Sequence, residues 1–271
     1  MPTLDIVTPT LNSEKYILAT ISSLNLSGSV SLKHIIVDSY SSDSTLNIAR
    51  ACGSNVLQFP PGNMYSAINY GLRSGSAEWC AYINSDDLIY ADSYFNALYS
   101  LGETADIIYG NADYVDSIGR LLHYWNSPSP LYLKYLLRSK TLPFPQPTMI
   151  FRRCVFEQLG GFNDRYSYSA DFDFVLRAHV AGFCFQKYCG GPMAAFRLHP
   201  GQFSASKAKE MRNESLASLR LNLSCKPSRM KELFFIVLFL RIINIDSYIS
   251  RALRARFLGS KHLFPRSMNN N

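Results

Sequence analysis

The sequence predicts an α/β fold with a mostly parallel central sheet and helices on both faces, and three observations carry that expectation. Apolar runs of strand length alternate with amphipathic runs of helix length from Leu4 to Gly110. Such alternation calls for parallel strands joined by right-handed crossovers. Polar clusters sit where the strands end, at Thr8-Pro9-Thr10, Asp38-Ser39 and Asn84-Ser85-Asp86-Asp87, and open α/β sheets bind ligands in the crevice outside those carboxyl ends. Finally, 271 residues with 47% hydrophobic and 17% charged side chains supply a sizeable core for one large or two small domains.

Taken in order, Leu4 to Thr8 is a strand ended by Pro9. Asn12 or Ser13 caps a helix from Glu14 to Ser23, with Tyr16, Ile17, Ala19, Thr20 and Leu24 along its stripe. His34 to Val37 forms the second strand, and the polar run Ser39 to Ser44 leads into a helix from Thr45 to Ala51 that stops near Gly53. A short strand from Asn55 to Gln58 precedes Pro60-Pro61-Gly62 and a helix from Met64 to Arg73. Glu78 to Ile83 is apolar enough to read as a buried central strand. A helix from Tyr94 to Leu101, a strand from Ile107 to Gly110, and a hairpin pairing Tyr114-Val115 with Leu121 to Tyr124 follow. Residues 126–147 carry five prolines and read as a loop-rich insert suited to an acceptor cleft. Thr148 to Phe151 is a strand, Arg153 to Leu159 a helix closed by Gly160-Gly161, and Ser169 caps a helix from Ala170 to Ala181 that Gly182 ends.

Charge and cysteine usage exclude several classes. Of the formal +7, all lies between Lys226 and Asn271, where nine Lys or Arg face only Glu232 and Asp246, and the remainder is balanced. A neutral body excludes a nucleic-acid-binding core and points to a tail that meets an anionic surface. Six scattered cysteines without Cys-x-x-Cys spacing, mostly within apolar stretches, are expected to be buried free thiols. The N-terminus has no basic segment followed by an apolar core, so the expected location is cytoplasmic.

The chemistry centres on Asp86 and Asp87. Two neighbouring carboxylates at a strand end either cap the helix that follows or bind a hard divalent cation and the phosphates it carries. Without a cation each raises the other's pKa. Asp38, ending the second strand, either accepts from a base N–H or ribose hydroxyl or closes an Asx turn. Asp43 reads first as a helix cap.

The ordered set Thr8-Pro9-Thr10-Leu11-Asn12, Val37-Asp38 through Asp43-Ser44-Thr45, Asn84-Ser85-Asp86-Asp87, Ala170-Asp171-Phe172-Asp173 and Arg197-Leu198-His199-Pro200-Gly201 resembles the family 2 glycosyltransferases over residues 3–205. The resemblance implies a GT-A fold, a UDP-, GDP- or dTDP-sugar donor, a divalent metal (Mn2+ or Mg2+), and inversion at the anomeric carbon. It assigns Thr8, Pro9, Thr10, Asn12 and Asp38 to the nucleoside, Asp86 to the ribose, and Asp87 and His199 to the metal. Asp171 matches the second residue of the family's Glu-Asp motif and is the candidate general base for an acceptor hydroxyl. Ala170 stands where that motif has Glu, and Ser66 and Ile68 depart from the family's base-recognition segment. These departures keep a catalytically silent GT-A scaffold that binds a sugar or protein partner as the alternative. Asp173, about 200° round a helix from Asp171, faces elsewhere. Tyr65, Tyr124, Trp125 and Tyr166 are candidates for stacking on sugar faces.

The organisation expected is a glycosyltransferase domain over 1–205, divided into a nucleotide-sugar half (1–110) and an acceptor and catalytic half (111–205), and a basic helical extension over 206–271. Leu233 to Leu240 is eight apolar residues, well short of the roughly 20 that span a bilayer. With Arg251, Arg254 and Arg256 among apolar neighbours, the tail reads as an amphipathic helix at an anionic membrane, with a glycan or lipid-linked acceptor; packing on the body or a twin subunit is the other reading.

Overall fold

The computed structural model describes residues 2–24, 31–140, 142–202 and 206–223, together with residues 238, 241, 242, 244, 245 and 249. Nine strands form one sheet in the order β3-β2-β1-β4-β8-β6-β9-β5, with β7 paired to β6. β1 (Thr3–Thr10), β2 (Ser31–Asp38), β3 (Asn55–Gln58) and β4 (Trp79–Tyr82) are mutually parallel, as the alternation predicts. The crossovers carry α1 (Ile17–Ser23), α2 (Thr45–Ala51) and α3 (Met64–Arg73).

Beyond β4 the sheet becomes mixed. β8 (Ile150–Arg152) lies antiparallel between β4 and β6 (Ile107–Val115), while β9 (Phe185–Arg197) runs parallel to β6 and pairs with the two-residue β5 (Leu88–Ile89). β7 (Leu121–Trp125) completes the expected hairpin. The thirteen-residue β9 has no counterpart in the sequence reading. Gly190-Gly191-Pro192 breaks its pattern, and the pairing to β6 shifts register there.

Burial on both faces follows from the apolar strands. Leu4, Ile6, Trp79 and Ala81 pack on one side with α4 (Ala91–Leu101), and Val7, Val37, Cys80 and Tyr82 pack on the other with α3. α3 sits so close to the sheet that a Cβ on Gly71 would lie 2.7 Å from Val37 Cγ2 and 2.8 Å from Val7 Cγ1. Glycine there is a packing requirement, since side chains in a dense core cannot yield that distance cheaply. Asp5 on β1 is fixed by Arg153, which opens α6 (Arg153–Gln158), through a 2.7 Å ion pair with a nearly buried carboxylate. Removing one partner of such a pair costs about 3–5 kcal/mol.

Several local expectations change. α1 begins at Ile17 rather than Glu14, because the Asn12 and Ser13 side chains are spent on neighbouring loops: Asn12 Oδ1 accepts from Ser42 N–H (2.9 Å) and Ser13 Oγ meets Ser85 Oγ (2.7 Å). Of the described cysteines, all free, only Cys80 is buried, whereas Cys52, Cys154, Cys184 and Cys189 are exposed. An apolar neighbourhood in sequence does not decide which face of an element a residue occupies; Cys225 lies outside the described residues. The insert over 126–147 is made of short helical turns, including α5 (Leu133–Leu136). α7 (Ala170–Val180) and α8 (Ala208–Asn222) pack on each other. Most of the basic run from Lys226 onward lies outside the described residues.

Candidate active site

Parallel pairing puts Thr10 directly beside Asp38 at the carboxyl ends of β1 and β2. Thr10 Oγ1 donates to Asp38 Oδ1 (3.1 Å), Ser41 N–H donates to Oδ2 (2.9 Å), and Ser41 Oγ donates to Oδ1. Asp38 is buried, and its carboxylate ties down the loop that follows β2 by accepting from Ser41, three residues on, rather than closing an Asx turn. Asn12 reaches the same loop, its Oδ1 accepting from Ser42 N–H (2.9 Å). Two non-glycine residues here adopt left-handed backbone, Asn12 at φ 51° and Tyr40 at φ 58°. Asn tolerates this region, whereas a bulky Tyr does so at a cost of about 1–2 kcal/mol, and the Tyr40 side chain is 55% exposed. Thr8 is fully buried and its hydroxyl meets His34 Nε2 at 2.9 Å. Burial pushes His34 down to about 4, so the ring is neutral at pH 7.

A second loop joins this one from the end of β4. Thr20 Oγ1 on α1 donates to the carbonyls of Ser85 (2.8 Å) and Asp87 (2.9 Å), and Ser13 Oγ meets Ser85 Oγ at 2.7 Å. The adjacent carboxylates then diverge. Asp87 is buried, with Oδ1 accepting from the backbone N–H of Arg197 (2.8 Å) and Oδ2 facing Asn84 Nδ2 (3.5 Å). Burial, then the neighbouring Asp86 charge, raises its pKa far above the carboxylate range. Asp86 instead faces outward, its Oδ2 2.7 Å from His199 Nε2. The structure thus pairs His199 with the first carboxylate and gives the second to β9, whereas the resemblance joins His199 with Asp87. The physical reason is the arrival of β9: its Arg197 N–H needs a buried acceptor, and Asp87 supplies it.

Arg197 ties the same corner together. Its Nε donates to the Asp86 carbonyl (2.7 Å), its Nη1 reaches the Ser117 carbonyl (3.2 Å), and its guanidinium lies 5.0 Å from the Tyr16 ring centroid. The Tyr16 ring is in turn 5.0 Å from that of His199. Two buried acceptors at this end of the sheet, Asn84 Oδ1 and Gln146 Oε1, have no hydrogen-bond partner, although Gln146 Nε2 donates to the Tyr82 carbonyl (2.9 Å).

Asp171 opens α7. Its Oδ1 accepts from Phe172 N–H (2.7 Å), and Tyr65 of α3 hydrogen-bonds to its carboxylate. Burial pushes its pKa from 3.8 up to about 6, against the opposing pull of those bonds, with the Glu214 charge adding to the rise. Tyr82, hydrogen-bonded to Tyr65, feels the charges of both Asp171 and Asp87, which links the base candidate to the carboxylate loop. Tyr65 and Tyr166 are buried and belong to the core rather than to a stacking platform; Tyr124 and Trp125 remain half-buried. Asp173 faces away as the helical period requires, held by Ser218 Oγ (2.7 Å) and Arg177 Nε (2.6 Å). Ala170, the departure that motivates a silent scaffold, is buried in the core and leaves Asp171 in place. Ser169 makes no side-chain cap; its hydroxyl donates to the Met211 carbonyl (2.9 Å) on α8.

Arg197, Tyr16 and Glu214 receive no role from sequence alone, and Tyr65, read there as a stacking candidate, is instead a partner of Asp171. Only Arg197 carried a signal, as the first residue of the segment that delivers His199. No cluster of three or more metal-ligating side chains occurs among the described residues.

Comparison with known proteins completes the picture. The sequence model described as Glycosyl transferase family 2 matches residues 5–160, more than half of the chain. An uncharacterized glycosyltransferase of Rickettsia typhi is 26% identical over 182 residues, covering 64% of this chain and 57% of its own length; the chain thus spans little more than half of that relative. A PGL/p-HBAD biosynthesis glycosyltransferase of Mycobacterium tuberculosis is 25% identical over 232 residues, 82% of this chain and 87% of the relative. Among solved structures, the mannosyltransferase PcManGT from Pyrobaculum calidifontis, in complex with GDP-Man and Mn2+, aligns with a TM-score of 0.58 at 18% identity, covering 94% of this chain and 76% of that one.

Proposed function

Because the chain belongs to glycosyl transferase family 2 and has the GT-A fold, we infer that it transfers a sugar with inversion from a nucleotide-diphosphate donor to a hydroxyl of a glycan or lipid-linked acceptor. The observation that carries this reading is the Asp86–His199 pair, opening beside the Thr10–Asp38 loop and linked through Tyr82 and Tyr65 to Asp171. A carboxylate oxygen and an imidazole nitrogen from two separate elements would suit Mn2+ ahead of Mg2+, which prefers oxygen ligands. Asp86 and His199 would hold that ion, in place of the Asp87–His199 set drawn from the resemblance. When bound, such an ion would supply charge neutralisation to a diphosphate leaving group. The unpartnered Asn84 and Gln146 oxygens suit hydroxyl donors, which a sugar or ribose provides.

The residues divide the remaining work. Asp171 takes the proton of the acceptor hydroxyl as that oxygen bonds to the anomeric carbon and the bond from that carbon to the diphosphate oxygen breaks. A carboxylate with a pKa of about 6 is mostly ionised at pH 7, yet more basic than an exposed one. Titration calorimetry with GDP, UDP and dTDP, with and without manganese, tests the donor site. Micromolar binding that needs the metal is expected, and no metal-dependent binding to any of the three would overturn the reading.

For the acceptor, the reading places the protein at an anionic membrane. Leu238, Ile242, Ile245 and Ile249 are helical and 42–58% exposed. Asn244, by contrast, is buried against the Asn126 backbone, whose N–H it accepts at 2.7 Å. No helix among the described residues is long and apolar enough to cross a membrane. Co-sedimentation with phosphatidylserine vesicles is expected, weakening with salt; recovery in the supernatant at low salt would remove the membrane from the proposal.

A further inference from the structure

The first turn of α7, which carries Asp171, is held from a helix that lies beyond the family match. Glu214 on α8 accepts three backbone N–H groups in succession: Ser167 on Oε1 (2.9 Å), and Tyr168 (2.8 Å) and Ser169 (2.9 Å) on Oε2. These are the three residues before α7, whose amides would otherwise have no intrahelical acceptor. The grip has further points. Ser169 Oγ donates to the Met211 carbonyl, Ser218 Oγ to Asp173 Oδ1, and Arg177, paired to Asp173, donates to the carbonyls of Leu159 (2.7 Å) and Gly161 (2.8 Å). Asp173 is thus the hub by which α8 is bolted to α7, and Glu214 is the contact that fixes the segment leading to Asp171.

We propose that Glu214 is a positioning residue for Asp171: its carboxylate orders residues 167–169 so that Asp171 is held against Tyr65 and the acceptor hydroxyl. It also restores, from α8, the acidic neighbour that Ala170 removes from the sequence. Charge-assisted bonds from three consecutive amides to one carboxylate are strong and directional, and a misplacement of about 1 Å in a reacting group costs about a hundredfold in rate. The groups facing Asp171 are Tyr65 of α3, hydrogen-bonded to it, and Glu214 of α8, whose charge raises it. Tyr82 of β4 lies behind Tyr65. Lys207, just before α8, pairs with Glu210 at 3.4 Å and lies 5.9 Å from the Tyr168 ring. The proposal rests on the general-base reading of Asp171, and the test separates the two.

Carboxyl-carbon NMR of the full chain labelled at aspartate follows the titration of Asp171, assigned by the signal that Asp171→Asn removes. The midpoint near 6 is expected to fall in Glu214→Gln and to fall by less in Glu214→Asp; Glu210→Gln, on the same helix, leaves it unmoved. Manganese-dependent hydrolysis of GDP-mannose and UDP-glucose is expected to fall about tenfold to a hundredfold in Glu214→Gln, with nucleoside-diphosphate affinity unchanged. A midpoint unmoved in Glu214→Gln overturns the proposal. If Glu214→Gln does not fold, amide exchange in Glu214→Asp decides. One methylene less of reach is expected to cut protection at residues 167–169, and unchanged protection overturns the proposal. Should Asp171→Asn still hydrolyse donor, the general-base reading fails by itself. Should it be inactive while Glu214→Gln matches the unchanged chain in titration and turnover, the positioning role alone fails.

Discussion

Asp171→Asn should abolish transfer and stabilise the fold, and the second effect has a calculable size. Burial raises the folded-state pKa from 3.8 to about 6, and each tenfold change in proton affinity corresponds to about 1.4 kcal/mol. Between those values the folded chain binds more protons than the unfolded one, so unfolding free energy falls as pH rises through the window. The stabilising contribution of the protonated form is complete below about pH 4 and lost above about pH 6, and an ionised Asp171 at pH 7 costs about 3 kcal/mol. Asn has nearly the same shape, can still accept from Tyr65, and carries no charge to desolvate. Chemical denaturation at pH 7 should therefore show Asp171→Asn more stable by about 2–3 kcal/mol, with melting raised by about 4–12 °C, at 2–4 °C per kcal/mol for a domain of this size. At pH 4 the two proteins should unfold together. A difference that does not vary between pH 4 and pH 7, or a variant that transfers sugar at near-native rate, would refute the reasoning.

Three other outcomes follow from the same geometry. Asp86→Asn should lose manganese-dependent binding of nucleoside diphosphate, whereas Asp87→Asn should keep it, because the Asp87 oxygen serves the Arg197 N–H rather than an open position; calorimetry reads both, and the reverse pattern would return the metal to Asp87. Tyr65→Phe removes a bond that holds the Asp171 pKa down, so the acidic limb of the rate profile should move to higher pH, and a limb that stays put would exclude Tyr65 from the site. Tyr40→Gly relieves left-handed strain of about 1–2 kcal/mol against about 0.5–1 kcal/mol of added chain entropy. Melting should thus rise by about 1–4 °C, and a loss of nucleoside-diphosphate affinity alongside it would show that the exposed Tyr40 ring meets the donor.

The sequence by itself determined the parallel half of the sheet, since β1 to β4 are short apolar runs with period and punctuation that only one architecture satisfies. It also determined which polar segments meet, because residues at the carboxyl ends of neighbouring parallel strands must share one crevice: Thr10 meets Asp38, and the loop after β4 joins them through Ser13 and Ser85. Asp171 and Asp173 could be told apart by helical period alone. What the tertiary structure decided is how each carboxylate is spent. Asp86 and Asp87 are equivalent in sequence, and only the arrival of β9, about 110 residues later, buries one against a backbone N–H and leaves the other beside His199. The same holds for Asp171, whose basicity comes first from burial and then from the charge of Glu214, against the opposing bond from Tyr65, with both partners remote in sequence. Local pattern encodes direction and period, whereas desolvation and charge proximity depend on the summed environment of distant elements, and that sum exists only once the chain has closed on itself.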